Sequence, residues 1–241
     1  MAEAISRYRR LDPDKIIETL RTLHGRIQNR FPDSGLRNVV LELRNVAEET
    51  VARTRWIQRP HLALRFAAAL LILGIATLLI FMASQIRQFQ LSDYTNFIQA
   101  LEASISSVVF IAAAILFLLT WENRIKRHRV LKAMHELRAL AHIIDMHQLT
   151  KDPESYFSPQ RASLLRRAMT PFELNRYLDY CSEALALISK IAALYVQGFE
   201  DPVLLDAVDD MEDLTAGFSR KIGQKLTMLE MLGRSITAER S

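Results

Sequence analysis

Three histidines spaced seven apart, His128, His135 and His142, are the residues of this chain whose type and spacing most invite chemistry. Imidazoles bind transition metals and change charge between pH 5 and 8. On a helix, residues seven apart lie about 10.5 Å from one another, whereas zinc is held at roughly 2 Å. The ladder therefore cannot chelate one ion by itself. Only His142 with Asp145, at i and i+3, has the spacing to share one, and a third ligand would have to come from another segment. The remaining roles for this face are a polar second interface, pH-responsive through its histidines, and plain solvation. Cys181 is the only cysteine, which excludes an intrachain disulfide and CxxC chemistry. It falls in an apolar stripe with no base at a readable spacing, so it reads as a small core residue and not a nucleophile. His24 and His61 stand alone and read as surface or interfacial.

Other chemistry is missing. The chain contains no GxxxxGK[ST] loop, no GxGxxG, no HExxH and no GxSxG. No catalytic residue, cofactor or metal ligand is assigned, and no enzyme is expected. Residues 122–241 carry 17 basic and 17 acidic side chains, so nucleic acid is not an expected partner. Asp201, Asp206, Asp209, Asp210, Glu212 and Asp213 precede Arg220, Lys221 and Lys225, an order that complements a helix dipole without a divalent ion.

The elements that must position these residues are helices. Ala, Leu, Glu and Arg dominate, Gly and Pro number only 7 each, and β-strand alternation is absent. Residues 14–30 place Ile16, Ile17, Leu20, Leu23 and Ile27 on one face, and a breaker Pro32-Asp33-Ser34-Gly35 separates them from a second helix over about 36–57. A helix from about 93 to 148 has no internal breaker. Thr170-Pro171-Phe172-Glu173 is a capping-box start for a helix ending near Gly198, and Asp201-Pro202 starts the last helix, running to about Met231. A short helix is expected in SPQRASLLRRAM, from Ser158. Gly217 and Gly223 suggest a kink or close packing in the last helix.

Two stretches without charge, Phe66 to Ala83 and Ala103 to Trp121, are apolar on every face. About 18 or more such residues cross the roughly 30 Å of a bilayer core. The other account, two buried helices in a large protein, finds no other segment apolar enough to cover them. The expected fold class is thus an all-α membrane protein: a two-span transmembrane hairpin with an N-terminal helical pair and a C-terminal three-helix antiparallel bundle. Its parts are residues 1–61, the hairpin 62–121 (spans about 62–83 and 103–121, external connection 84–102) and residues 122–241. Residues 1–61 hold 12 Lys/Arg and 122–241 hold 17, against Arg87 alone in 84–102, so both termini are expected in the cytoplasm. With no secretory or transit signal, this predicts a multi-pass protein of a bacterial inner membrane. Trp56, Arg59, Arg65, Trp121, Arg124, Lys126 and Arg127 are the expected membrane-interface residues.

The expected function is an interaction or oligomerisation scaffold, with the lipid bilayer, a second copy of the chain and an unidentified cytoplasmic protein as partners, and with motion relayed along the unbroken second-span helix. Small residues in both stretches favour close helix approach. The alternative is an oligomeric channel lined by the second span, with Glu102 at its mouth, where a carboxylate ring would attract cations.

Overall fold

In the computed structural model, residues 10–58, 66, 69–70, 72–77, 80, 94–151, 153, 169–197 and 201–239 are described. Five α-helices have described bounds, α1 (Pro13–Arg30), α2 (Gly35–Gln58), α3 (Tyr94–Leu149), α4 (Pro171–Val196) and α5 (Pro202–Glu239), and residues 72–77 are helical as well. The chain is all-α, as its composition predicts.

The helix starts follow from their caps. Asp12 accepts from the Asp14 and Lys15 amides, and Pro13 occupies the first turn, where its missing N–H costs nothing. Thr170 and Glu173 form the expected capping box: the Glu173 amide donates to Thr170 Oγ1 at 3.2 Å, and the Thr170 amide donates to Glu173 Oε2 at 2.7 Å. Asp201, nearly buried, accepts from the Val203 and Leu204 amides to open α5. The α5 helix runs through both Gly217 and Gly223, and a Cβ at either would meet no neighbour, so neither serves close packing. The expected helix from Ser158 lies outside the described residues.

The chain divides into two compact units. Unit 1 comprises Met1–Gln58 with Arg129–Ser241, so the N-terminal helices share a body with the C-terminal ones. Its centre is α4, whose Leu178, Cys181, Leu185, Ile188 and Ala192 are fully enclosed. Around it close Leu20, Leu23 and Ile27 of α1, Leu36, Val40 and Leu43 of α2, Val130, Leu137 and Ile144 of α3, and Leu204, Met211 and Ile222 of α5. These residues recur every three or four positions, so each helix gives one stripe to the core and leaves the opposite face outside. A reciprocal pair holds the chain just before α1: the Leu11 amide donates to Gln197 Oε1 at 2.9 Å, and Gln197 Nε2 donates to the Leu11 carbonyl at 3.2 Å. At the other end of α3, Lys225 Nζ donates to the carbonyls of Gln148 (2.6 Å) and Lys151 (3.2 Å), placing a cation where the helix dipole is negative.

Unit 2 is Arg59–His128. Here the structure corrects the sequence reading: among the described residues, no helix is long and apolar enough to cross a membrane. Of the first apolar stretch, residues 66, 69–70, 72–77 and 80 are described, and all are helical. The second lies within α3. The predicted transmembrane hairpin, the multi-pass inner-membrane placement and the cytoplasmic assignment of both termini are withdrawn on this finding.

Candidate functional site

The residues that could have done chemistry are placed apart. Cys181 is fully buried in α4, where loss of hydration pushes its thiol up to about 12, so it is no nucleophile at neutral pH. His142 and Asp145 do not converge on a common point for an ion. The His142 ring meets Phe218 edge-on at 5.4 Å, and Asp145 accepts from Gln148 Nε2 at 2.6 Å. Among the described residues no three His, Cys, Asp or Glu side chains are grouped to hold a metal. Of the α5 carboxylates, Asp201 is a cap and Asp210 faces Arg138 at 3.6 Å. His24 is half-buried in α1, and burial, then Arg44 and Arg37, keep it below its ordinary range. His61 lies outside the described residues.

One described concavity is polar and open. About 630 Å³ lies where the α1–α2 turn, the end of α3 and the start of α4 meet, with Arg30, Asp33, His147, Lys151, Glu173 and Tyr177 among its walls. Its two cations rest on aromatic faces: Arg30 lies 5.0 Å from the Phe172 ring centre, and Lys151 Nζ lies 5.5 Å from that of Tyr177. His147 is held below its ordinary value of 6.5 by burial and then by Lys151. The ring fits only because residue 35 is glycine; a Cβ there would overlap it. Two cations, two carboxylates and a neutral imidazole give no net charge to attract an ion and no nucleophile paired with a base. Nothing in the sequence motifs marks His147, because its partner Gly35 is remote along the chain.

A second buried polar group bridges three helices. Thr50 Oγ1 and the Tyr195 hydroxyl lie 3.0 Å apart, and Arg53 reaches Tyr195, Glu49 (2.7 Å) and Glu136 (3.0 Å). Burial raises the Tyr195 phenol above its usual range. The cluster joins α2, α3 and α4.

No protein-family model matches the chain. No curated protein and no solved structure is significantly similar to it either. Function must be read from the molecule's own surface.

Among the described residues, exposed apolar side chains gather in both charge-free stretches, Phe66, Leu70, Ile72, Leu73 and Ile80 in the first and those of α3 in the second. Over residues 105–117 of α3 most are exposed, Phe110 to 76%, while Ile111 and Ile115 are half-buried. Farther along, in unit 1, Met146 is 65% and Leu149 59% exposed, on the face opposite the buried Val130–Leu137–Ile144 stripe. The predicted histidine face is here too: His128, His135 and His142 are all exposed. Sequence reading found the histidines and missed Met146 and Leu149 beside them. Their four- and seven-residue spacing from His142 was the available signal.

Of the expected interface residues, Trp121 is half-exposed and its ring lies 5.4 Å from that of Phe117. Arg124 is exposed, Arg127 half-buried, and Lys126 buried. Trp56 belongs to α2 but its side chain, like Arg59 and Arg65 altogether, lies outside the described residues. Glu102 is an exposed residue of α3.

Proposed function

We propose that the chain is a non-catalytic helical scaffold, which assembles with copies of itself and presents its helices to a protein partner. In this reading an N-terminal helical pair and a C-terminal antiparallel three-helix bundle form one supporting body. The observation that carries it is the run of exposed apolar side chains on α3, Val109, Phe110, Leu116, Phe117 and Trp121 among them. Single exposed apolar residues need no explanation, but contiguous ones mark surfaces that associate. The polar cleft at His147 and the buried thiol of Cys181 offer no competing catalytic site.

Light scattering on the purified full-length chain tests the reading. A mass that is a small multiple of 27.6 kDa supports it. A monodisperse single chain that also retains no protein partner refutes it.

A further inference from the structure

Both charge-free stretches belong to unit 2, and they share one pattern of burial. Over residues 105–117 of α3 every position is exposed except Ser107, Ile111 and Ile115, which are half-buried and fall four apart along one line of the helix. Of the described residues of the first stretch all but Ile75 are exposed, Phe66 to 68% and Ile80 to 71%. Among the described residues, then, each stretch has one narrow, half-covered side and is bare elsewhere.

We propose that phospholipid covers unit 2: the apolar side chains of both stretches sit among acyl chains, and the basic end of the second lies against anionic headgroups. The contact is with a lipid surface and is not a passage through it, since among the described residues no helix is long and apolar enough to cross. It goes beyond the scaffold reading, which names protein partners only, and either can fail without the other.

Three observations commit the occupant to lipid. The first is the arc. At 3.6 residues per turn, the exposed side chains from Val108 round through Ile105, Val109, Phe110 and Phe117 to Trp121 span about 220° of the helix. Packing on a single neighbour takes an apolar face of roughly 100°. A second copy of the helix would leave about half of the arc in water, whereas acyl chains are fluid and close around any apolar shape.

The second is polarity. Residues 103–121 hold no charge, and the hydroxyls in the two stretches turn back on their own helices: Thr120 Oγ1 donates to the Leu116 carbonyl and Thr77 Oγ1 to the Leu73 carbonyl, each at 2.7 Å. A protein interface keeps a polar rim that hydrogen-bonds across it, while hydrocarbon demands that polar groups be satisfied internally.

The third is charge at one end. Directly after Trp121 the sequence carries Arg124, Lys126, Arg127, Arg129 and Lys132 against Glu122 alone, a basic segment of the kind that anionic headgroups attract. Arg124 is exposed, and so is Ile125 beside it. Trp121 is 47% exposed with its ring 5.4 Å from that of Phe117, and it stands where apolar sequence gives way to basic. An indole, apolar with one polar edge, suits the headgroup layer at that junction.

The test mixes the purified full-length chain with vesicles of phosphatidylcholine, or of phosphatidylcholine with phosphatidylglycerol, and follows flotation. The chain should float with both and several-fold more with the anionic vesicles. Salt should remove that excess and leave the rest, and Arg124→Gln should lower the excess alone. Phe110→Ser with Phe117→Ser, both at exposed positions, should weaken flotation at least about tenfold at either composition with helix content unchanged. Trp56→Phe leaves Trp121 as the only indole, and lipids brominated on their acyl chains should quench its emission. Flotation that salt abolishes, with no quenching, means that headgroups alone are touched and overturns the proposal. A stable multiple of the chain that does not float assigns these side chains to a second copy, which overturns the proposal and supports the scaffold reading. A single chain that does not float overturns the proposal and counts against both.

Discussion

Two lengths of the same helix show how differently an apolar residue can be used. Over residues 105–117 of α3, apolar side chains occupy nearly every position and most stay exposed, Phe110 and Phe117 among them, with Ile111 and Ile115 half-buried. Over residues 130–148 they alternate with polar ones, and Val130, Ala133, Leu137, Ala141 and Ile144 vanish into a core shared by five helices. The second length is less apolar and far better buried. Burial follows periodicity, because a one-sided stripe can face a neighbour while its polar side stays in water. Apolar content all round a helix says only that something else must cover it.

The strongest test of this contrast makes the same truncation in both lengths. Leu137→Ala should destabilise the protein by about 2–5 kcal/mol, as expected for a fully enclosed leucine whose site cannot collapse. Leu116→Ala, at a largely exposed position, should leave the urea midpoint of unit 1 unchanged and alter only the association state. Equal losses would show that residues 105–117 are as well packed as the core, and the contrast would fail.

Much of unit 1 was legible beforehand. The stripe Ile16–Leu20–Leu23–Ile27, the break at Pro32–Gly35, the capping box at Thr170–Glu173 and the start at Asp201 are local signals, and local chemistry decides them. What could not be read was which stripes meet. Thr50 finds Tyr195, Leu11 finds Gln197 and Gly35 finds His147 only after long-range packing, which leaves no mark in spacing. The candidate site was half legible: the seven-residue histidine period was plain, but the exposure of Met146 and Leu149 depends on which face α3 turns to the core. The membrane assignment was drawn from composition over a window, and among the described residues no helix meets the length and apolarity it requires.

Hydroxyls offer a gentler version of the comparison. Tyr195→Phe should cost about 1–3 kcal/mol, since it strips a partner from Arg53 and from Thr50 in a buried site. Thr50 keeps its bond to the Val46 carbonyl at 2.7 Å, which points to the lower end of that range. Thr120→Val removes a bond of the same length to the Leu116 carbonyl, but at an exposed position, and should stay within about 0.5 kcal/mol. Thermal unfolding of the two variants side by side checks both.

Next in size is the α4 cap. Thr170→Ala should cost about 1 kcal/mol, the ordinary value for an N-cap hydroxyl. Hydrogen bonds from the Thr170 amide and then its hydroxyl lower the Glu173 carboxyl below 4.5. A carboxylate lowered on folding lends stability above its unfolded value and loses it as pH falls through the folded one. The difference between wild type and Glu173→Gln should therefore be constant at neutral pH and disappear in the acid range below 4.5. A difference that grew on acidification would reverse the assignment.

The smallest effect concerns His147, and its sign is the informative part. Burial, then Lys151, lowers this imidazole below 6.5, so the unfolded chain binds the extra proton more readily than the folded one. The neutral ring thus contributes stability that is fully present above pH 6.5 and is lost as pH falls through the lower folded value. Gly35→Ala tests whether packing causes this. Alanine at the start of α2 gains from reduced freedom in the unfolded chain, while its Cβ overlaps the ring and must drive it outward. A histidine side chain beside an open cleft has room to swing, so the two effects should nearly cancel at pH 7.5. Once outside, the ring is hydrated and farther from Lys151, and the decline of stability between pH 7 and 5 should flatten. If Gly35→Ala instead destabilises strongly and keeps the wild-type slope, His147 is locked in place, and its neutrality comes from rigid burial by the surrounding core rather than from the space one missing Cβ leaves for it.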